Sequence, residues 1–424
     1  MADSVYDVVG IGFGPANLSL AIALEERGAE WMAAVFLEQQ PSMGWHRGML
    51  VPSAKMQVSF LKDLATFRNP HSRFSFVSYL HAVGRLVQFV NNQDFFPTRQ
   101  EFHAYLEWAE SQLAHRPQYN AEVTGIRLPE KRDSDFVEVE VRSRLPGGDD
   151  RLIRARNIVI STGLVPRMPA GVERDERVWH SSEFLTRFRT WDGGELKRIA
   201  VVGAGQSAAE IVRFLHDEVP GAHISAVLPS YGYSIADNTP FANQVFDPGA
   251  VDDYYGGSQQ SKDALWQYHK NTNYSVVDDE VIKDLKRRVY DEELSGDRRL
   301  TFLRMTRLLG VKRVANDTRV SVYSLLADDF YDFEADLVVC ATGYAPMDPA
   351  RVLGELDRHC LRDEAGNYRV ERDYRLVTGP VLRCGVYLQG GTEHTHGLTS
   401  SLLSNIAVRS GEIADSIAER RRAR

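Results

Sequence analysis

Two glycine-rich turns constrain the fold of this chain more than any other feature. The first follows the apolar run YDVVGI and reads GFGPAN from Gly12, so Asn17 fills the third glycine position of the G-x-G-x-x-G frame. The second follows IAVV and reads GAGQSA from Gly203. In such a frame the first glycine makes a tight turn, the second lets a pyrophosphate approach the backbone, and a helix begins behind it. Each turn therefore predicts a dinucleotide site.

Strands and helices alternate along the chain, which is typical of a doubly wound α/β fold. β-Branched runs predict strands at residues 5–11, 33–37, 157–161, 199–202, 223–228 and 337–341. Helical patterns lie at residues 18–27, 99–115, 208–217, 261–270 and 277–291. We predict an α/β protein with two Rossmann-like dinucleotide-binding domains and a small helical substrate-binding subdomain.

Two strand exits place the domain boundaries. The runs NIVISTG and DLVVCATGY each end a buried strand in a turn of small residues, where we expect the chain to cross between nucleotide-binding units. They predict a discontinuous first domain (residues 1–191 and 345–424) and a second domain (residues 192–230 and 298–344) inserted into it. Residues 231–297, rich in Asn, Asp, Tyr and helix formers, predict the helical subdomain.

The residue that closes the strand after each turn indicates which dinucleotide binds there. After the first turn, Glu38 closes the run AAVFLE, where an acid can hold a ribose hydroxyl. After the second, the run HISAVL ends at Pro229 and Ser230 without an acid, which disfavours NAD, and without an arginine for a 2′-phosphate. Two sites in one chain predict a resident FAD and a nicotinamide dinucleotide that reduces it, with NADPH favoured over NADH.

Composition and charge exclude several other classes. With 43% hydrophobic and 25% charged residues, the chain has the balance of an ordinary globular protein. The net charge of −8 argues against nucleic acid and membranes as partners, because both favour basic surfaces. The start MADSVYD is acidic where a secretory signal is basic, and the three cysteines form no metal-ligand spacing. We expect a cytoplasmic protein without a metal.

The absence of one sequence motif limits which electron acceptors are possible. A disulfide reductase needs a C-x-x-C beside its flavin, and this chain contains none. The acceptor is therefore oxygen, a quinone or another protein.

Longer stretches favour one of these acceptors. Four of these stretches are KMQVSFLKDLATFRNP, DNTPFANQVFDP, KNTNYSVVDDEVI and GGTEHTHGLTSSLLSN. They resemble the flavin-dependent N-hydroxylating monooxygenases of bacteria and fungi. The similarity covers essentially the whole chain. These enzymes hydroxylate the side-chain amine of L-ornithine or L-lysine for siderophores and related natural products. The resemblance implies an FAD- and NADPH-dependent enzyme that hydroxylates the δ-amine of L-ornithine with O2, through a flavin hydroperoxide. It also implies a homo-oligomer, either a dimer or a tetramer.

The glycine turns and the resemblance together assign expected contacts. Those expected for FAD are Gly12, Gly14, Pro15, Asn17, Glu38, Gln39, Trp45, His46, Met56, Gln57, Val123, Ser401, Leu402 and Leu403. Those expected for NADPH are Gly203, Ala204, Gly205, Gln206, Ser207, Asn273, Tyr274, Ser275 and Tyr344. Those expected for the substrate are Lys62, Asn243, Gln244, Val245, Phe246, Asn273 and Ser404. The family's basic residue after the second Rossmann strand falls at Pro229, which leaves the choice between NADPH and NADH open.

The chemistry of amine hydroxylation agrees with these residue types. The attacking amine must be neutral although its pKa in water is about 10.4, so a carboxylate beside it would stop the reaction. Amide side chains such as Asn243 and Asn273 can orient an amine without that penalty. Lys62 suits the other end of the substrate, where a carboxylate needs a cation.

The run GGTEHTHGLTSS is expected to lie against the flavin. Glu393, His394 and His396 have no third distant ligand beside them, so we interpret them as loop residues rather than as a metal site. Residues 399–401 (TSS) predict the N-cap of the last helix, with its positive end toward the flavin.

Two other functions stay open on the sequence alone. Hydroxylation of L-lysine, or of a diamine without a carboxylate, remains possible because one methylene contributes only about 1–3 kcal/mol in a pocket. A non-catalytic flavin electron carrier or redox sensor would need an exposed flavin edge. It would leave Lys62, Asn243 and Asn273 without a role.

Overall fold

The computed structural model describes residues 5–28, 32–114, 117–130, 135–272, 274–314 and 317–423. One predicted site residue, Asn273, lies outside these ranges. Within the described ranges, no helix is both long enough and apolar enough to cross a membrane.

Strands and helices alternate through the described residues. The strands are β1 (Val5–Tyr6), β2 (Val8–Ile11), β3 (Ala34–Leu37), β4 (Ala121–Arg127), β5 (Val137–Ser143), β6 (Arg151–Ala155), β7 (Asn157–Ile160), β8 (Leu164–Pro166), β9 (Val178–His180), β10 (Arg198–Val202), β11 (His223–Val227), β12 (Leu300–Leu303), β13 (Thr306–Val314), β14 (Asp317–Ser324), β15 (Asp329–Ala335), β16 (Leu337–Cys340), β17 (Tyr344–Pro346) and β18 (Gly385–Leu388). The α-helices are α1 (Pro15–Glu25), α2 (Phe76–Ala82), α3 (Leu86–Asn91), α4 (Arg99–Ser111), α5 (Phe184–Arg189), α6 (Gln206–Glu218), α7 (Pro240–Asn243), α8 (Pro248–Gly256), α9 (Gln259–His269), α10 (Asp279–Ser295), α11 (Ala350–Leu353), α12 (Glu393–His396) and α13 (Ile406–Arg422).

Two parallel sheets, one behind each glycine turn, confirm the predicted fold class. The first has the strand order β18-β7-β2-β3 and the second the order β12-β11-β10-β16-β9. Every residue of the central strands β7 and β16 is buried, as expected for parallel sheets covered on both faces. The strand predicted at residues 5–11 divides at Asp7, because β1 pairs with β6 in a separate sheet while β2 pairs with β3 and β7.

The chain passes between the two units through two short strands that pair with each other. β8 leaves the first unit after Gly163, and β17 returns after Gly343. The two strands are antiparallel, with Val165 opposite Ala345. The crossings therefore lie side by side, directly beyond the two small-residue turns.

The second unit includes residues that the sequence placed in the first. β9 pairs with β16, with Val178 opposite Val338, and Phe184 and Leu185 pack in the core of the second sheet. The boundary predicted at residue 192 is too late, since the chain enters the second sheet soon after β8. The predicted boundary relied on the glycine turn, and the short strand β9 carries no motif of its own.

The segment between β11 and β12 contacts both units. Its last helix, α10, packs on α6, where Val281 and Leu285 join Ile211 in the core of the second unit. Its helix α8 packs on α12 of the first unit, and a Cβ added at Gly397 would lie 3.0 Å from the ring of Tyr254. This helical segment therefore covers the cleft between the two glycine turns.

Helix α1 is buried on most of its surface. Leu18 and Ile22 lie on one face of the helix, and Leu20 lies on the opposite face. All three are fully buried because the sheet lies on one side and α13 on the other. This packing fixes the N-terminus of α1 at the first glycine turn.

Candidate active site

The first glycine turn has a backbone that requires glycine at its first position. Gly12 has a φ of +81°, and a Cβ there would lie 2.3 Å from the carbonyl oxygen of Ser161. Gly14 has extended backbone, and a Cβ there would meet no atom within 4 Å. The open space above Gly14 lies at the N-terminus of α1, where helix N–H groups favour a pyrophosphate.

Asn17 supports this turn from the protein side. Its side chain is fully buried, and its Nδ2 donates a hydrogen bond of 2.7 Å to the carbonyl oxygen of Gly12. Gln389 Nε2 in turn donates to Asn17 Oδ1 at 3.2 Å. The amide thus does more than replace a third glycine, because it fixes the carbonyl of the turn. Pro15 begins α1 directly beside it.

Glu38 lies beside the turn, at the end of β3. Its Oε2 accepts a hydrogen bond of 2.7 Å from the N–H of Phe13, and its Oε1 accepts one of 2.8 Å from Gln40. These bonds hold the carboxylate where the ribose of a dinucleotide lies in this fold. The carbonyl of Glu38 also accepts from Ala121 at 2.9 Å, which places β4 and its Val123 at the same end. Gln39, the next residue, is exposed.

The loop after β3 carries aromatic rings toward the second unit. The ring of His46 lies edge-on to Trp45 at 4.7 Å and to Tyr344 at 5.9 Å. Crowding by protein atoms, with a smaller effect of Arg99, lowers the pKa of His46 to about 4. The His46 side chain is nevertheless accessible to solvent, so it lies where a ligand could reach it and not in the core. Uncharged aromatic rings along such a cleft suit a planar isoalloxazine.

Tyr344 stands at the crossing between the units. Its ring lies 5.1 Å from that of His180, whose Nε2 donates to the carbonyl of Gly343 at 3.0 Å. His180 Nδ1 accepts from the N–H of Ser182 at 3.1 Å, so the Nε2 nitrogen carries the hydrogen. Burial raises the pKa of Tyr344, which keeps its phenol neutral on the cleft wall.

Asp63 folds the loop that presents Lys62. Its buried carboxylate accepts backbone hydrogen bonds from Ala65 at 2.9 Å, Thr66 at 2.6 Å and Phe76 at 2.7 Å. Burial raises the pKa of Asp63, although these bonds act in the opposite direction. The three bonds fix the backbone on which Lys62 stands.

Lys62 is a half-buried cation that faces the helical segment. Burial lowers the pKa of its ammonium, and the charge of Asp247, close by at the N-cap of α8, acts in the opposite direction. In the part of the chain that the structure describes, no carboxylate forms an ion pair with Lys62. The position therefore suits the carboxylate of a bound amino acid.

The segment before Asp247 supplies the other predicted substrate residues. Asn243 ends α7, and its Nδ2 donates 3.2 Å to the carbonyl of Thr239. The 3-10 turn Gln244–Phe246 follows, with Gln244 exposed and Phe246 buried. Val245 is partly buried between them. The electrostatic effect of Asp247 on Lys62 thus places the N-cap of α8, and the segment that precedes it, near this cation.

The second glycine turn repeats the geometry of the first. Gly203 has a φ of +138°, and a Cβ there would lie 2.3 Å from the carbonyl oxygen of Ala341. Gly205 is the N-cap of α6, and a Cβ there would lie 3.8 Å from the Cα of Ser275. The run that contains Tyr274 and Ser275 therefore lies next to this turn. Ala204 and Ser207 are partly accessible beside it.

A polar network joins the second turn to the first unit. Arg99 donates two hydrogen bonds, of 2.7 and 2.9 Å, to the buried carboxylate of Glu210. Gln206, the first residue of α6, donates to Glu210 and to Asp278 at 2.8 Å each. Gln57 donates to Asp278 at 3.2 Å from the segment that holds the buried Met56. The second glycine turn and the first unit are thus connected through side chains.

The last helix begins later than the sequence predicted. Its N-cap is Asn405, so the prediction that residues 399–401 cap it is wrong. Their hydroxyls bond within the loop instead, where Ser400 Oγ accepts from Thr392 at 2.9 Å and Ser401 Oγ accepts from Gly391 at 3.3 Å. The buried guanidinium of Arg409 fixes the same loop by donating to the carbonyl of Thr399 at 3.4 Å.

The acidic and histidine side chains of this loop serve its structure. Ser401 donates to the carboxylate of Glu393. His394 and His396 donate through Nε2 to backbone carbonyls at 2.8 and 3.1 Å, and burial lowers the pKa of His396 to about 4. Among the described residues, no group of three such side chains is placed to hold a metal ion.

Two buried polar atoms near the start of α13 have no hydrogen-bond partner in the described structure. The buried hydroxyl of Ser404 and the buried Oδ1 of Asn405 accept or donate no hydrogen bond within the described part of the protein. Buried polar groups are nearly always paired in native proteins. Leu402 and Leu403 lie partly exposed beside them. A flavin or substrate edge at this helix N-terminus would supply the missing partners.

The site has two glycine turns, with an acid beside the first. Neutral aromatic rings lie between them, together with polar atoms that have no hydrogen-bond partner among the described residues. These features fit FAD and a nicotinamide dinucleotide. The fold and site therefore define a flavoprotein oxidoreductase with two dinucleotide-binding domains. Residues 4–346 match the family described as L-lysine 6-monooxygenase/L-ornithine 5-monooxygenase. The chain belongs to this family.

Relatives of this chain cover nearly its full length. An ornithine N-hydroxylase of Kutzneria sp. 744, solved with reduced FAD, NADP+ and L-ornithine, is 64% identical, with a TM-score of 0.96 over 99% of this chain and 100% of that one. An L-ornithine N(5)-monooxygenase of Burkholderia cepacia is 38% identical over 93% of this chain and 90% of its own. The L-lysine 6-monooxygenase of Pseudomonas syringae is 29% identical, with a TM-score of 0.84 over 98% and 99%.

Several residues that shape the site were not found from the sequence. Asp63 carried a local signal, since an acid three residues before Thr66 is typical of a capped turn. Asp247 also stands at a recognisable N-cap before Pro248. The pair of Arg99 with Glu210 had no local sequence signal, because the two residues are 111 positions apart.

Replacing Asp63 with asparagine is expected to loosen the loop that presents Lys62. The amide keeps the shape but turns one acceptor into a donor that faces backbone N–H groups, which costs about 1–3 kcal/mol of unfolding free energy. We expect the KM for the amino-acid substrate to rise more than kcat falls. Urea denaturation and steady-state kinetics check this, with Asp149→Asn as an exposed control. Equal effects of the two substitutions would contradict it.

Proposed function

We propose that the protein is an L-ornithine N5-monooxygenase that uses FAD, NADPH and O2. The observation that carries this proposal is Lys62, a half-buried cation that forms no ion pair with a carboxylate among the described residues and feels the charge of Asp247 in the helical segment. Such a cation binds a carboxylate strongly because it forms a charge-assisted hydrogen bond away from bulk water. The relative from Kutzneria sp. 744, solved with L-ornithine, supports the same substrate.

Lys62 and the helical segment orient the substrate from its two ends. Lys62 holds the α-carboxylate, so the side chain of ornithine extends away from this cation and toward the rings of His46 and Tyr344, where the isoalloxazine is expected. Amide groups such as that of Asn243 meet an amine without stabilising its ammonium form. Bound FAD would supply the chemistry of hydride acceptance from NADPH and of O2 activation, in which one oxygen atom would pass to the amine and the other would leave as water.

The cleft itself favours the neutral amine. Burial lowers the pKa of Lys62, and the same loss of solvation lowers the pKa of a substrate ammonium placed in this cleft. The neighbouring acid, Asp247, lies on the carboxylate-binding side with Lys62. This loss of solvation therefore shifts the far end of the substrate toward its neutral, reactive form.

A substrate panel tests the proposal. FAD-loaded protein is supplied with NADPH and O2, and hydroxylamine product is measured with L-ornithine, L-lysine and putrescine. We expect product with L-ornithine at the highest kcat/KM, and putrescine as the poorest of the three because it lacks a carboxylate. Higher turnover with lysine or putrescine would reassign the substrate. NADPH oxidation without any hydroxylamine would favour the electron carrier instead.

Two further features belong to the proposal. We infer a cytoplasmic location, supported by three buried cysteines that form no disulfide in the described part of the chain. The homo-oligomer rests on the resemblance to the family, and light scattering tests it. A monomeric mass at micromolar concentration would reject it.

A further inference from the structure

NADPH and NADH differ by one phosphate on the adenosine ribose. In Rossmann domains this ribose lies at the end of the second strand, which here is β11. The residues that follow β11 are Leu228, Pro229 and Ser230, and none of them carries a charge. A phosphate placed there needs a cation from another element of the second unit.

The sheet brings one arginine to this point. β12 pairs in parallel with β11, with Leu303 opposite Val227, so Arg304 is the first residue beyond the end of the neighbouring strand. The two strand ends are held together because Met305 donates to the carbonyl of Ser230 at 2.9 Å, and Thr306 donates to that of Leu228 at 2.8 Å. Arg304 therefore lies beside Pro229, although 75 residues separate the two in sequence.

The guanidinium of Arg304 is oriented and available. It stacks over the ring of Tyr231, with 5.3 Å between Cζ and the ring centroid. The side chain is exposed, and it forms no ion pair within the described ranges. Arg299, which precedes β12, is by contrast bonded to backbone carbonyls of His216 and Val219 at 2.9 and 2.8 Å. Arg304 thus keeps its donors for a ligand.

We propose that Arg304, stacked on Tyr231, binds the 2′-phosphate of NADPH in place of the basic residue missing at Pro229. A guanidinium can form two parallel hydrogen bonds to a phosphate, and an aromatic ring beneath it fixes its plane. The cation is supplied by the third strand of the domain instead of the second. This inference rests on the proposed use of NADPH, and it makes Arg304 the residue that selects NADPH over NADH.

Equilibrium binding tests this without turnover. Calorimetry of the FAD-loaded protein with 2′,5′-ADP and with 5′-AMP isolates the phosphate, and we expect the wild type to prefer 2′,5′-ADP. Arg304→Gln is expected to lose at least about tenfold in affinity for 2′,5′-ADP with little change for 5′-AMP, since a charge-assisted hydrogen bond contributes at least that much. Arg304→Lys is expected to lie between the two proteins because it keeps the charge but not the fork.

The control is Arg313→Gln, which removes an exposed arginine near the far end of β13. It is expected to bind both nucleotides as the wild type does. Equal affinity of Arg304→Gln and wild type for 2′,5′-ADP would overturn the inference, as would an equal loss for both nucleotides. A wild type that prefers 5′-AMP would also overturn it, while ornithine-dependent hydroxylamine formation decides the proposed function separately.

Discussion

Replacing Gly12 with alanine is expected to leave the protein unable to retain FAD. At a φ of +81° an alanine is strained, and its Cβ would lie 2.3 Å from the carbonyl oxygen of Ser161, a backbone atom that cannot rotate away. Either the turn or the backbone at Ser161 must move, and a displaced turn no longer presents the backbone at Gly14 to a pyrophosphate. The flavin absorbance per protein after gel filtration measures the effect, and we expect it to fall close to zero.

Gly203→Ala is the matched control for this substitution. It has the same defect, with a φ of +138° and the Ala341 carbonyl at 2.3 Å, but it lies in the second turn. We expect this variant to keep its flavin and to lose reduction of the flavin by NADPH. Loss of flavin from Gly203→Ala, or retention by Gly12→Ala, would contradict the assignment of FAD to the first turn.

Arg99→Met is expected to destabilise the protein by about 3–5 kcal/mol, because it leaves a buried carboxylate without its cation. The Glu210 side chain is 1% exposed, and Arg99 is its partner across the two units. Gln206, which bonds the same carboxylate, belongs to the second turn, so we also expect weaker NADPH binding. Chemical denaturation of the FAD-loaded protein and nucleotide titration measure the two effects.

The pH dependence of this loss follows from the pKa of Glu210. Burial already raises this pKa, and removal of Arg99 raises it further in the folded state. A folded pKa above the unfolded value, about 4.3, means that stability falls as pH rises from the unfolded pKa to the folded one. The deficit of Arg99→Met relative to the wild type is therefore expected to be larger at pH 8 than at pH 5. Arg99→Met combined with Glu210→Met should recover part of it, and no recovery would indicate a packing defect instead.

Sequence patterns confined to a few neighbouring residues were sufficient to predict much of the fold. Each glycine turn, its strand and its helix form one continuous stretch, so the sequence predicted both parallel sheets. Glu38 was predicted as a ribose ligand for the same reason, since the acid follows its turn by one helix and one strand. The local patterns failed where a short element joins a distant partner. β9 has three residues and pairs with a strand 160 positions later, Val178 with Val338.

The site was less predictable than the sheets because its groups come from separate segments. The hydroxyls of Ser400 and Ser401 have the composition of a helix cap, yet tertiary contacts with Gly391 and Thr392 outcompete the local bonds. The proximity of Asp247 to Lys62 depends on how the helical segment folds over the cleft. Arg304 approaches Pro229 only through the pairing of β11 with β12.

In the proposed reaction, Lys62 binds the carboxylate of an amino acid whose amine is then hydroxylated. The most direct test compares kcat/KM for L-ornithine and putrescine in the wild type and in Lys62→Ala. A charge-assisted hydrogen bond contributes about 1.5–3 kcal/mol, so we expect the preference for ornithine to fall by roughly 10- to 150-fold, chiefly through KM. Putrescine turnover should change little. A Lys62→Ala protein that keeps the wild-type preference for ornithine would show that Lys62 does not bind the carboxylate.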